Sequence, residues 1–158
     1  MSHEPAFNKL LALLQQSEEW LVDRILEYSK RYEYTKYTST LREAWRISIT
    51  MLSEMLEMGI KSGKLHDIGP DEKYEEDPIA SFGALEAQRH RSRGITISMF
   101  LGLFKYYRQA YIDLIEGNLD DPVGKKEALH FVNKFFDRVE LGFISEWTKH
   151  TQEQLLEE

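Results

Sequence analysis

DPIASFGALEAQRHRSRGITISMFLGLFKYYRQAYID, residues Asp77 to Asp113, reads as two helices joined at Gly94 and sets the fold class for the chain. Asp77 before Pro78 is a helix start. The carboxylate accepts from free N–H groups of the first turn, and proline at the first helical position gives up no hydrogen bond. Arg91 and Arg93 suit the negative end of a helix, and Gly94 supplies the left-handed residue that stops it. Thr96 then caps a second helix, whose face carries Phe100, Leu103, Phe104, Tyr107 and Tyr111. Arginine, histidine and tyrosine are interleaved with this aromatic surface, and burying such groups unpaired costs about 1–3 kcal/mol each. They must pair with one another as structure, or with a ligand or moving element as function.

Outward from this pair the helical pattern continues. Leu10, Leu11, Leu13 and Leu14 mark a short helix from about Pro5 to Gln16. Ser17 with Glu18 and Glu19 opens a second, carrying Trp20, Leu21, Ile25 and Tyr28. Thr40-Leu41-Arg42-Glu43 reads as a capping box ahead of a strongly apolar helix that ends near Gly59 or Gly63. Lys64 to Glu76, KLHDIGPDEKYEE, is a long acidic loop, expected to be mobile or neutral in packing. Beyond Asp113, Asn118-Leu119-Asp120-Asp121-Pro122 repeats the start signal, with Gly124 postponing the helix to about Lys125. No alternating run marks a strand. The expected fold is all-α, a globin-like or irregular helical bundle of about five to seven helices with a long C-terminal helix, in one domain over residues 1–158.

The last helix, from Lys126 to Glu158, carries Leu129, Val132, Phe136, Val139 and Phe143 at alternating steps of three and four, a heptad seam continued by Trp147. Such a seam packs on the domain's own core or builds a parallel homodimer and carries an output. Its polar tail, TQEQLLEE, has no terminating glycine or proline, so the chain is expected to be the N-terminal part of a longer protein.

At 158 residues the chain can bury a sizeable core, and 42% hydrophobic with 30% charged residues is ordinary for a globular domain. A net charge of −7 argues against nucleic acid and anionic membrane as partners. With no cysteine, disulfides, thiolate metal sites and thiol catalysis are excluded. The N-terminus lacks the basic and apolar regions of a signal peptide, and no apolar run approaches the roughly 18 residues of a membrane span. A cytoplasmic protein without membrane insertion is expected.

Catalytic signatures are missing. The nine glycines are scattered rather than set in a phosphate loop, and the five histidines are dispersed. Glu127-Ala128-Leu129-His130 has the Glu-x-x-His spacing of di-iron bundles, which need it twice. Glu86 and His90 share one helix face as an i,i+4 pair, incomplete as a metal site. His90 or His130 is a conceivable axial haem ligand, but Arg89, Arg91 and Arg93 crowd His90 and line a haem face poorly. What remains is the group Arg89, His90, Arg93, Tyr106, Tyr107, Arg108 and Tyr111. It is a helix end with exposed cations and packed aromatic stems, or a cluster facing Glu75, Glu76 and Asp77 or an anionic ligand. Arg89, His90, Arg93, Tyr107 and Arg108 are the candidate ligand-binding residues.

EEWLVDRILEYSKR from Glu18 to Arg31, YTSTLREAWRISI from Tyr37 to Ile49, and the long stretch from Asp77 to Ile115 together bring a family into view. The sequence resembles the N-terminal helical input domain that precedes PAS and histidine-kinase modules in bacterial two-component sensors. More distantly, it is similar to the non-haem, globin-like N-terminal domain of the RsbT co-antagonist (stressosome) proteins. The resemblance implies a sensory or dimerising module with no activity and no cofactor of its own, whose last helix signals to PAS and kinase domains in the same chain. The full-length protein would then be a histidine kinase. A small-ligand- or haem-binding globin-like protein is the alternative.

Overall fold

The computed structural model describes residues 4–38 and 41–157. It is all-helical, with six helices and no strand among those residues. They are α1 (Glu4–Gln16), α2 (Glu18–Arg31), α3 (Arg42–Ser62), α4 (Pro78–Ser92), α5 (Ile97–Asn118) and α6 (Pro122–Glu157), with single 3-10 turns at Tyr34–Lys36 and Tyr74–Glu76. The lengths are unequal, and the bundle is irregular.

Local chemistry sets the helix ends as expected around the central pair. Asp77 accepts from the Ile79 amide at 3.0 Å, and Thr96 accepts from the Met99 amide at 3.2 Å. Gly94 takes φ +78° and Gly63 φ +69°, the left-handed stops after α4 and α3. Ser17 differs: it stands at the start of α2 but its hydroxyl makes no cap bond. The capping box expected at Thr40 lies outside the described residues. The last helix begins earlier than expected, at Pro122 rather than Lys125 or Lys126, because Asp121 accepts from the Gly124 amide at 3.0 Å. Gly124 is buried, so the residue expected to delay the helix instead lets it pack from its first turn.

α6 is the axis of the molecule and is packed by α1, α3, α4 and α5. Its residues Ala128, Val132, Phe135, Phe136, Val139 and Phe143 are at most 1% exposed. Each such aromatic contributes about 1.5–3 kcal/mol through burial. This revises the heptad seam. Val132, Phe136, Val139 and Phe143 contact the chain's own core, and Leu129 is half-buried against it. Four of the five seam positions are thus spent on the chain's own core. The exposed turns of α6 come later, from residues 151–157.

α4 crosses α6 at near backbone contact. A Cβ on Gly83 would overlap the Val139 carbonyl, and one on Gly142 would overlap the Ala80 carbonyl. Two glycines on opposing helices therefore set the distance between α4 and the axis.

The acidic loop before α4 is held in place, contrary to the expectation of mobility. Arg138, fully buried on α6, donates to Glu72 and to Asp77 Oδ2 at 2.9 Å. It also donates to the backbone oxygens of His66 at 2.6 Å and Asp67 at 3.0 Å. A guanidinium has five N–H donors, and this one finds four acceptor residues. Asp77 thus caps α4 with one oxygen and fixes it to α6 with the other. No helix among the described residues is long and apolar enough to cross a membrane.

Candidate functional site

The face of α4 carrying Phe82, Glu86 and His90 meets the face of α5 carrying Met99, Phe100, Leu103 and Tyr107 at a partly open cavity of about 120 Å³. α3 closes one side with Ser48, Met51 and Leu52, the turn at Tyr34–Lys36 another, and Val139 of α6 the floor. The helices converge here because Gly94 reverses the chain tightly between α4 and α5. Tyr34 is seated against Gly102, where any side chain would collide with its hydroxyl.

The walls are mainly apolar. Phe100 stacks on Phe143 of α6 at 3.8 Å between ring centroids and meets the His90 ring edge-on at 4.6 Å. The polar groups are few and mostly engaged. Tyr107 is buried in the wall near Ser48, and burial pushes its hydroxyl pKa well above the ordinary tyrosine value. His90 Nδ1 lies 2.7 Å from the Glu86 carbonyl oxygen, one turn earlier. Glu86 Oε1 is 3.0 Å from Arg89 Nη1, while Oε2 is 3.6 Å from His90 Nδ1.

The candidate ligand-binding residues divide. His90 and Tyr107 line the cavity together. Arg89 lies outside it, nearly half exposed, and its guanidinium is taken by Glu86. Arg93 is exposed at the end of α4. Arg108 points the other way, to Asp137 at 2.8 Å and Glu140 at 3.5 Å on α6. Arg91 likewise reaches Glu146 of α6 at 3.3 Å, over the Trp147 ring. The arginines therefore do not converge on an anion. Nor do they face Glu75, Glu76 and Asp77, since the cation on Asp77 is Arg138.

Tyr106 stacks between Tyr28 and Tyr32 at 5.4 and 4.6 Å, and Tyr111 shares a 2.7 Å hydrogen bond with Ser53. Both have structural partners away from His90. A second polar network joins α2 to α5. Asp113 receives Tyr28, Arg24 Nε at 3.0 Å and Gln109 at 2.8 Å. Burial would raise the Asp113 pKa, but these three donors hold it below the ordinary carboxylate value.

Cavity residues on α3, namely Ser48, Met51 and Leu52, were beyond sequence reasoning, which read that helix only as apolar. The weak signal was Ser48 set among Trp45, Ile49 and Leu52, a hydroxyl on a buried face. Glu86 beside the histidine is unsuited to an apolar haem face. No group of three or more metal-ligating side chains is found among the described residues. No family model, curated protein or solved structure matches the chain.

Proposed function

We propose that the chain is a non-catalytic sensory input module of a bacterial two-component system, acting in the cytoplasm ahead of PAS and histidine-kinase domains. Occupancy of the α3–α4–α5 cavity is its input and α6 is its output. The observation that carries this is Val139: one residue forms the cavity floor and also belongs to the axial helix. A ligand contacting that floor changes the packing of a helix whose last turns are exposed. A two-state shift in that helix requires a differential contact free energy of only a few kcal/mol. The glycine-spaced contact between α4 and α6 supports the same route, since a displaced α4 has no side chain there to absorb the movement. Dimerisation is assigned to the exposed turns of α6 rather than to the buried seam.

The test is a chimaera placing the chain ahead of a histidine-kinase core. Leu103→Phe, which fills the cavity, should change the autophosphorylation rate while helicity and melting are retained. A folded Leu103→Phe chimaera with the parental rate would sink the proposal.

A further inference from the structure

We propose that the cavity binds a single-ring aromatic molecule with one hydrogen-bond donor, of the phenol or aniline type, an inference that rests on the input role proposed for the same cavity. Size is the first constraint. A space of about 120 Å³ is comparable to the engineered apolar cavity of ~150 Å³ that takes up benzene.

The walls select an aromatic ring. Phe82, Phe100 and Tyr107 supply ring faces and edges, and Met51 and Met99 supply polarisable thioethers. Both kinds of contact favour an aromatic guest over a saturated one of equal volume.

The polar group is selected by Glu86, the one carboxylate in the wall. Its side chain is only 16% exposed, and Oε1 is held by Arg89. Oε2 has no hydrogen bond among the described residues, since His90 Nδ1 stands 3.6 Å away and is committed to the Glu86 carbonyl at 2.7 Å. An acceptor without a protein donor beside aromatic walls suits an O–H or N–H donor on the guest. The same oxygen repels a carboxylate. With the arginines turned outward, benzoate finds no guanidinium in the wall to offset that repulsion.

Titration of the whole chain with phenol, cyclohexanol and benzoate, followed by calorimetry and by NMR of the methionine methyl groups, tests the assignment. Phenol should bind saturably and shift Met51 and Met99. Cyclohexanol should bind about tenfold more weakly, the difference expected from one or two aromatic contacts. Benzoate should not bind. Glu86→Met should weaken phenol about tenfold and leave toluene unaffected, since only the donor's partner is lost. The inference is overturned if the folded chain does not bind phenol, if benzoate or cyclohexanol binds as well as phenol, or if the shifts fall away from Met51 and Met99. The two proposals fail separately. Phenol that binds here without altering the kinase chimaera removes the input role but not the ligand class. A chimaera that responds to Leu103→Phe, with a cavity that refuses phenol, removes the ligand class alone.

Discussion

Gly83 of α4 and Gly142 of α6 lie on facing helices so close that a methyl group on either would overlap a backbone carbonyl of the other helix. Neither glycine has a positive φ, so it is the approach of the two helices, not backbone freedom, that requires them. Alanine is the better helix former by about 1 kcal/mol, and overpacking against rigid backbone reverses that gain. Gly83→Ala and Gly142→Ala should each destabilise the chain by about 1–3 kcal/mol in chemical denaturation. Gly117→Ala is the control, because the space around it is open, and it should be neutral or stabilising by up to about 1 kcal/mol. Equal effects at all three positions would contradict the close crossing.

Arg138 holds the loop before α4 by four acceptor residues from a fully buried position. Arg138→Met removes the cation and leaves Glu72 and Asp77 facing each other without it. Breaking a buried pair in this way costs about 3–5 kcal/mol. Lysine cannot reach the divided set of carboxylate and carbonyl acceptors with a planar fork, so Arg138→Lys should recover little. Hydrogen exchange should accelerate over residues 64–77 in both variants. A loop with unchanged protection would show that the guanidinium does not anchor it.

The carboxylates of Glu72 and Asp113 give the stability a defined acid dependence. Hydrogen bonding to Arg138 holds the Glu72 pKa below its ordinary value of 4.5. At Asp113, burial acts upward, but Tyr28, Gln109 and Arg24 bring the net shift below the ordinary 3.8. In both cases the unfolded state binds more protons, so the stabilisation is full above the ordinary values and is lost as pH falls through the lower, folded ones. Stability should therefore drop as pH is lowered from about 5. Glu72→Gln and Tyr28→Phe should each flatten that drop, measured as the denaturation midpoint against pH. A Tyr28→Phe profile parallel to the parent would exclude Tyr28 from the Asp113 balance.

What could be read in the sequence was local. Asp77-Pro78, Gly94, Thr96 and Gly63 each fix a helix end through their own side chain or φ, and each does so in the structure. The site was half legible. His90 and Tyr107 share the cavity because they project from helices that Gly94 brings together, a relationship contained within one stretch of chain. The arginines were misplaced for a long-range reason. Arg91 and Arg108 pair with Glu146, Asp137 and Glu140, all on α6, and the side of a helix that meets a distant element has no local signature. Arg138 was missed on the same account: one arginine in a long polar and apolar alternation gives no sign that it alone is buried.

The heptad spacing of α6 fits an intermolecular seam as well as an internal one, and Phe136 separates the two. Its ring is fully buried, 5.1 Å from Phe104, 5.2 Å from Phe135 and 5.5 Å from Tyr111 between centroids. Phe136→Glu forfeits about 3–5 kcal/mol of packing and puts a carboxylate among buried rings, where the nearby Arg108 guanidinium is already shared by Asp137 and Glu140. Against a total stability of about 5–15 kcal/mol, that should abolish the cooperative melt. Leu155 and Leu156, 66% and 87% exposed on the last turns, are the opposite case. Changing both to glutamate should leave circular dichroism and melting intact while shifting any dimer towards monomer in sedimentation velocity. If Phe136→Glu instead gave a folded monomer, the seam would belong to a partner interface and the axial placement of α6 would fail.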